Sequence, residues 1–122
     1  MEPKELAKDI MEILSGKKAV DLRALEVTDL TVLADFFVIA TGTSTTHLKT
    51  LCDEVEFVLK KKDILPRHIE GGYGGNWLLL DYGAVVVHLL LKDAREFYSL
   101  ERLWVDAKSY TIDEQDELTP GF

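Results

Sequence analysis

The chain has 122 residues, 47% apolar and 30% charged, with a net charge of -8. That size suits one domain around one hydrophobic core. The acidity argues against unaided binding to a nucleic-acid backbone and fits a basic protein partner, and a single cysteine, Cys52, excludes an internal disulfide.

Leu6, Ile10, Ile13 and Leu14 recur at helical spacing, with Pro3 suited to a helix start and Gly16 to its end. No apolar run is long enough for a signal peptide or a membrane span, so a cytoplasmic protein with no membrane partner is expected. Ala19 to Val27 reads as a strand with Val20, Leu22 and Leu25 inward. Thr28 to Leu33 is a connection. Asp35 to Thr41 is apolar on both faces and belongs at the centre of a sheet.

Gly42-Thr43-Ser44 ends that strand, and Ser44 or Thr45 can cap the next helix. Leu48, Leu51, Cys52, Val55, Val58 and Leu59 give that helix one apolar stripe. Lys60-Lys61-Lys62 closes it, where cations suit the negative end of the dipole. Arg67 to Glu70 is a short strand, and Gly71 to Asn76 reads as a loop on composition.

The run from Trp77 to Trp104 carries the most information. Trp77 to Asp81 and Val85 to Leu91 form a hairpin, and Gly83 supplies the positive φ its turn needs. The period then changes to helical. Phe97, Leu100 and Trp104 share one face, and Tyr98 falls about 100° further round, beside Glu101. Trp77, Leu79 and Asp81 share one face of their strand, opposite Leu78 and Leu80. Either a helix covers that second face or a partner does; periodicity does not choose. From Tyr110 the chain turns acidic and core-poor, so a domain over 1–109 and a mobile acidic tail over 110–122 are expected. The elements give an α/β (α+β) fold with a mixed five-stranded sheet and flanking helices.

The chemistry is sparse. The strand-to-helix junction at Gly42-Thr43-Ser44 could cradle a phosphate, as helix N-termini do, or could simply be an N-capped helix. A similar Gly-Ser entry opens nucleotidyltransferases, which hold two Mg²⁺ ions on paired strand carboxylates. Here the strands carry Asp81 alone, so the shape is nucleotidyltransferase-like without the catalytic carboxylates. His47, His68 and His88 are scattered and form no metal-ligand set. Cys52 lies on an apolar helix face and reads as core. His88 interrupts an apolar strand; it reads as a satisfied, partly buried histidine or as part of a binding surface. No cofactor, metal or catalytic residue is expected.

Five stretches, in order, resemble the ribosomal silencing factors, also called the Iojap-like family. They are Asp35 to Ser44, Glu70-Gly71, Trp77 to Gly83, Val85 to His88, and Arg95 to Trp104. The resemblance runs from about Leu6 to Ala107. Ala84 departs from it, standing where the family usually has an acidic residue. The resemblance implies a non-enzymatic protein that binds the large ribosomal subunit on its fourteenth protein. Its bulk would then block joining of the small subunit and repress translation when nutrients are scarce. Combined with the facing argument, it implies a partner-binding patch of Trp77, Leu79, Asp81, His88, Tyr98, Glu101 and Trp104. A nucleotide-binding protein, and a homodimer closed by the same apolar face off the ribosome, are the rival expectations.

Overall fold

The computed structural model describes residues 1–71, 75–112 and 118–120. Helix α1 (Pro3–Gly16) starts with Pro3 in its first turn and buries Leu6, Ala7, Ile10, Met11 and Leu14. Strand β1 (Val20–Glu26) pairs antiparallel with β2 (Phe36–Gly42), which is buried along its whole length. The β-rich composition of Phe36-Phe37-Val38-Ile39 suits a strand covered on both faces.

Helix α2 (Thr45–Lys60) follows at once. Gly42 allows this tight junction, because a Cβ there would lie 2.6 Å from Leu48 Cδ2. Strands β3 (His68–Gly71), β4 (Trp77–Asp81) and β5 (Val85–Leu91) form a meander, and β5 closes against β2 in parallel. The β4–β5 turn rests on Gly83 at φ 84° and on the Asp81 carboxylate, which accepts the Gly83 N–H at 2.7 Å. Two short helices, α3 (Lys92–Tyr98) and α4 (Leu100–Leu103), lead into β6 (Lys108–Ile112) and β7 (Leu118–Pro120). The strand order is β3-β4-β5-β2-β1-β6-β7, so β2 is central.

The sheet has seven strands, where the sequence predicts five. The additional pair is β6 and β7, formed by residues assigned to the tail. Tyr110, Ile112 and Leu118 pack against the core, and the Tyr110 hydroxyl donates to Glu26 at 2.8 Å. Their alternation is masked by the acidic run between them, which lies outside the described residues, as do the loop residues Gly72 to Gly74.

A second correction concerns β1. Its register shifts between Val20 and Arg23, and Asp21 has φ 48°. This bulge turns Val20 out to solvent; Leu22, on the α1–α2 side, and Leu25, on the opposite face, are three residues apart and separate by ordinary alternation.

The core therefore has two layers. On one side α1 and α2 cover Ala24, Phe36, Val38, Ala40, Leu80, Val85, Val87 and Leu89. On the other, Leu25, Phe37, Ile39 and Leu90 meet Ala94, Leu100 and Trp104 from the α3–α4 segment.

Candidate partner-docking face

The second layer holds the large side chains that a minimal core does not require. The ladder sets their rows. Glu70 on β3, Leu79 on β4, His88 on β5 and Ile39 on β2 are cross-strand neighbours. The next row is His68, Asp81, Val86, Phe37 and Leu25, again from β3 across to β1. Side chains in such rows share one face of the sheet.

An aromatic chain crosses this face. Tyr98 packs at a tilt against Trp77 with ring centroids 4.4 Å apart, Trp77 at a tilt against His88 at 5.8 Å, His88 edge-to-face with Phe37 at 5.5 Å, and Phe37 edge-to-face with Trp104 at 5.5 Å. The Trp77 indole Nε1–H donates to His88 Nδ1 at 3.2 Å. His88 is only 8% exposed, and burial pushes its imidazole down to about 4. A neutral imidazole with a free Nδ1 lone pair is what the indole donor needs. His88 thus belongs to the core and aims Trp77; it is not itself a contact surface.

The helical segment departs from the sequence reading. It breaks at Ser99, which adopts the left-handed conformation at φ 46°, with its hydroxyl donating to the Glu96 carbonyl at 2.7 Å. The break rotates the second turn relative to the first. Leu100 and Trp104 turn into the sheet, whereas Phe97 is left 82% exposed, edge-on to Tyr98. The three do not share one face.

Of the seven expected docking residues, Trp77, Leu79 and Tyr98 form an open apolar surface. Trp77 and Leu79 line a hollow of about 350 Å³ with Glu70 and Gly71. Trp104 is half-buried against Phe37. Both expected acidic contacts have work inside the molecule. Asp81 holds the turn through Gly83 and lies 3.6 Å from His68 Nδ1. Glu101 takes a forked hydrogen bond from Arg95, at 3.2 Å from Nε and 2.9 Å from Nη2.

Sequence reasoning passed over three residues of this region. Arg95 bonds Glu101, the Thr41 hydroxyl and the Asp21 carbonyl, which ties α3 and α4 to the β1 bulge. Phe37 is the hub of the aromatic chain, and Glu70 stands beside Leu79. Cross-strand register places Phe37 and Glu70, and the packing of α3 beside the β1 bulge and β2 places Arg95; the sequence alone gives neither.

The other candidate chemistry resolves toward structure. At the β2–α2 junction, Ser44 Oγ caps the helix by accepting the His47 N–H at 3.0 Å. The Thr43 N–H donates to His47 Nδ1 at 2.9 Å, and His47 Nε2 reaches the Lys17 carbonyl at 2.8 Å. These donors are committed within the chain, so the junction reads as a capped helix rather than a phosphate cradle. The fold does bring ligand atoms of Cys52, Asp53 and Glu56 within 4.8 Å of one another, a grouping the sequence reading did not single out. Burial, then the nearby carboxylates, pushes the Cys52 thiol up to about 11, and Asp53 pairs with Lys49 at 3.4 Å. A thiol held protonated is poorly prepared to ligate. Among the described residues, no helix is long and apolar enough to cross a membrane.

Comparison with known proteins accords with these features. The family model described as ribosomal silencing factor during starvation matches residues 1–120. A ribosomal silencing factor of Halalkalibacterium halodurans is 34% identical over 113 residues, covering 93% of this chain and 97% of that protein. The mouse protein named mitochondrial assembly of ribosomal large subunit protein 1 is 36% identical over 101 residues, covering 78% of this chain and 43% of its own length. The crystal structure of a Chromobacterium violaceum protein superposes with a TM-score of 0.82 at 36% identity, covering 86% of this chain and 88% of that one. The chain belongs to the ribosomal silencing factor family.

Proposed function

We propose that this protein docks on the large ribosomal subunit through the subunit's fourteenth protein and prevents the small subunit from joining. The observation that carries this reading is the Trp77–Tyr98 pair with Leu79, apolar and accessible on the part of the sheet that α3 and α4 leave open. Aromatic anchors flanked by charge are what protein interfaces use as hot spots. The net charge of -8 suits a basic ribosomal protein. The mouse relative's name also associates it with large-subunit assembly.

The action is steric and involves no turnover. A standard interface covers about 800 Å² per partner, within reach of a domain of this size. The bound protein and the small subunit would occupy the same space, so inhibition follows free protein concentration over its Kd. Off the ribosome, in the cytoplasm, the same face is available for closing a homodimer.

Sucrose-gradient co-sedimentation with isolated subunits tests the proposal. Wild-type protein is expected with large subunits and not with small ones, and it should suppress their joining. Trp77→Ala and Tyr98→Ala are each expected to cost about 2 kcal/mol or more in binding. If both variants stay folded and co-sediment as tightly as wild type, the docking face is wrong.

A further inference from the structure

Trp77 and Leu79 need a charged neighbour if they are to select a basic partner, and three carboxylates on or beside this face could supply it. Asp81 is 23% exposed and already holds the turn through the Gly83 N–H. Glu101 is 40% exposed and gripped by the Arg95 fork. It also lines a different hollow, with Arg23, Leu25 and Trp104. Glu70 differs from both. Its side chain is 68% exposed, and its ion pair among the described residues is with a half-exposed histidine, His68, at 3.2 Å. It sits directly across the ladder from Leu79 and lines the same hollow as Trp77 and Leu79.

We infer that Glu70 is the residue that receives a lysine or arginine of the docked protein, and that Trp77 and Leu79 take that side chain's aliphatic stem. The inference rests on the docking face proposed above and names its charged contact. Long basic side chains lay their methylenes on apolar surface while the head reaches an acceptor. The apolar floor and the acidic wall of this hollow offer both. A carboxylate with internal partners must give them up to meet a cation, whereas Glu70, among the described residues, exchanges an exposed histidine contact. Its strand, β3, is at the edge of the sheet, and among the described residues no further strand lies beyond it.

The test is titration of large subunits with wild type, Glu70→Gln, Glu70→Lys, Asp81→Asn, Trp77→Ala and Tyr98→Ala at low and high salt, with circular dichroism to verify folding. Glu70→Gln should weaken binding roughly tenfold at low salt and flatten the salt dependence, because an interfacial charge at the rim acts through screened attraction. Glu70→Lys should weaken it further, by about 100-fold at low salt. Asp81→Asn should change the melting temperature while leaving the salt dependence near that of wild type. If Glu70→Gln and Glu70→Lys bind as wild type at both salts while Trp77→Ala does not, the assignment of Glu70 is overturned and the docking face stands. If Trp77→Ala and Tyr98→Ala also bind as wild type, the docking face itself falls and takes this inference with it.

Discussion

On one side of the sheet, α1 and α2 lie across β1, β2, β4, β5 and β6, and the residues between them are sealed from water. On the other side, α3 packs on β5 and β2, and α4 is only one turn long. The first face is mainly aliphatic; the second carries Trp77, His88, Phe37, Tyr98 and Trp104. Aliphatic residues that interdigitate under long helices maximise stability. Aromatic residues with a polar tip tolerate a surface that is dry on one side and wet on the other. The difference teaches that one face is built to seal a core, while the other leaves part of its apolar surface open, where the proposed docking would take place.

Adjacent residues of β4 offer the sharpest way to break that distinction. Leu80 points to the sealed face and is fully buried, while Leu79 points to the open one and is half-buried. Leu80→Ala is expected to cost about 3 kcal/mol in urea unfolding, through lost transfer energy and the cavity left behind. The folded fraction should still bind large subunits normally. Leu79→Ala should cost about 1 kcal/mol in stability, because less of its surface is removed from water on folding. It should nevertheless weaken binding. Equal stability losses with equal binding would erase the contrast.

His88 provides the next largest effect, and it belongs to the open face. Its imidazole titrates at about 4 in the fold, against roughly 6.5 for an unfolded chain. The unfolded chain therefore takes up the proton first as pH falls. This contribution is fully present above about pH 6.5 and is lost progressively by about pH 4; it amounts to roughly 3 kcal/mol. His88→Gln does not titrate, and its amide oxygen can still accept the Trp77 N–H. The variant should lose less stability than wild type between pH 7 and pH 4.5, measured by chemical denaturation. The same fall in both proteins would show that other groups govern the acid response.

The two faces also differ in how much of them the sequence makes legible. The α2 stripe of Leu48, Leu51, Cys52, Val55 and Leu59 is buried as its spacing predicts, with Val58 half-buried at its margin, and β2 is central as its two apolar faces predict. Periodicity carries such information because regular elements keep their phase. Phase is lost wherever one residue leaves the regular conformation. Asp21 breaks it in β1, so Val20 turns out to solvent instead of joining Leu22, while Leu25, three residues beyond Leu22, falls on the other face by ordinary alternation. Ser99 breaks it between α3 and α4. Neither residue is a glycine, and their composition gives no warning. Strands β6 and β7 escape for a different reason: Tyr110 and Ile112 alternate properly, but acidic composition suggests that nothing there is buried. Glu70 is a matter of register, which exists only once β3 has paired with β4.

Ser99 gives the smallest predicted effect and the most direct test of how the open face is shaped. A left-handed φ costs an L-residue roughly 1–2 kcal/mol, and the hydroxyl bond to the Glu96 carbonyl returns about 1 kcal/mol. Ser99→Ala keeps the backbone cost and loses the bond, so it should destabilise by about 1 kcal/mol. Ser99→Gly loses the bond but also relieves the backbone, so it should stay within about 0.5 kcal/mol of wild type. Thermal unfolding of the pair reads the difference directly. Because the turn at Ser99 sends Leu100 and Trp104 inward while leaving Tyr98 on Trp77, Ser99→Gly should also keep large-subunit binding close to that of wild type. A glycine variant that unfolds as readily as the alanine one would mean that the hydroxyl bond, rather than the backbone conformation, dominates the break between α3 and α4.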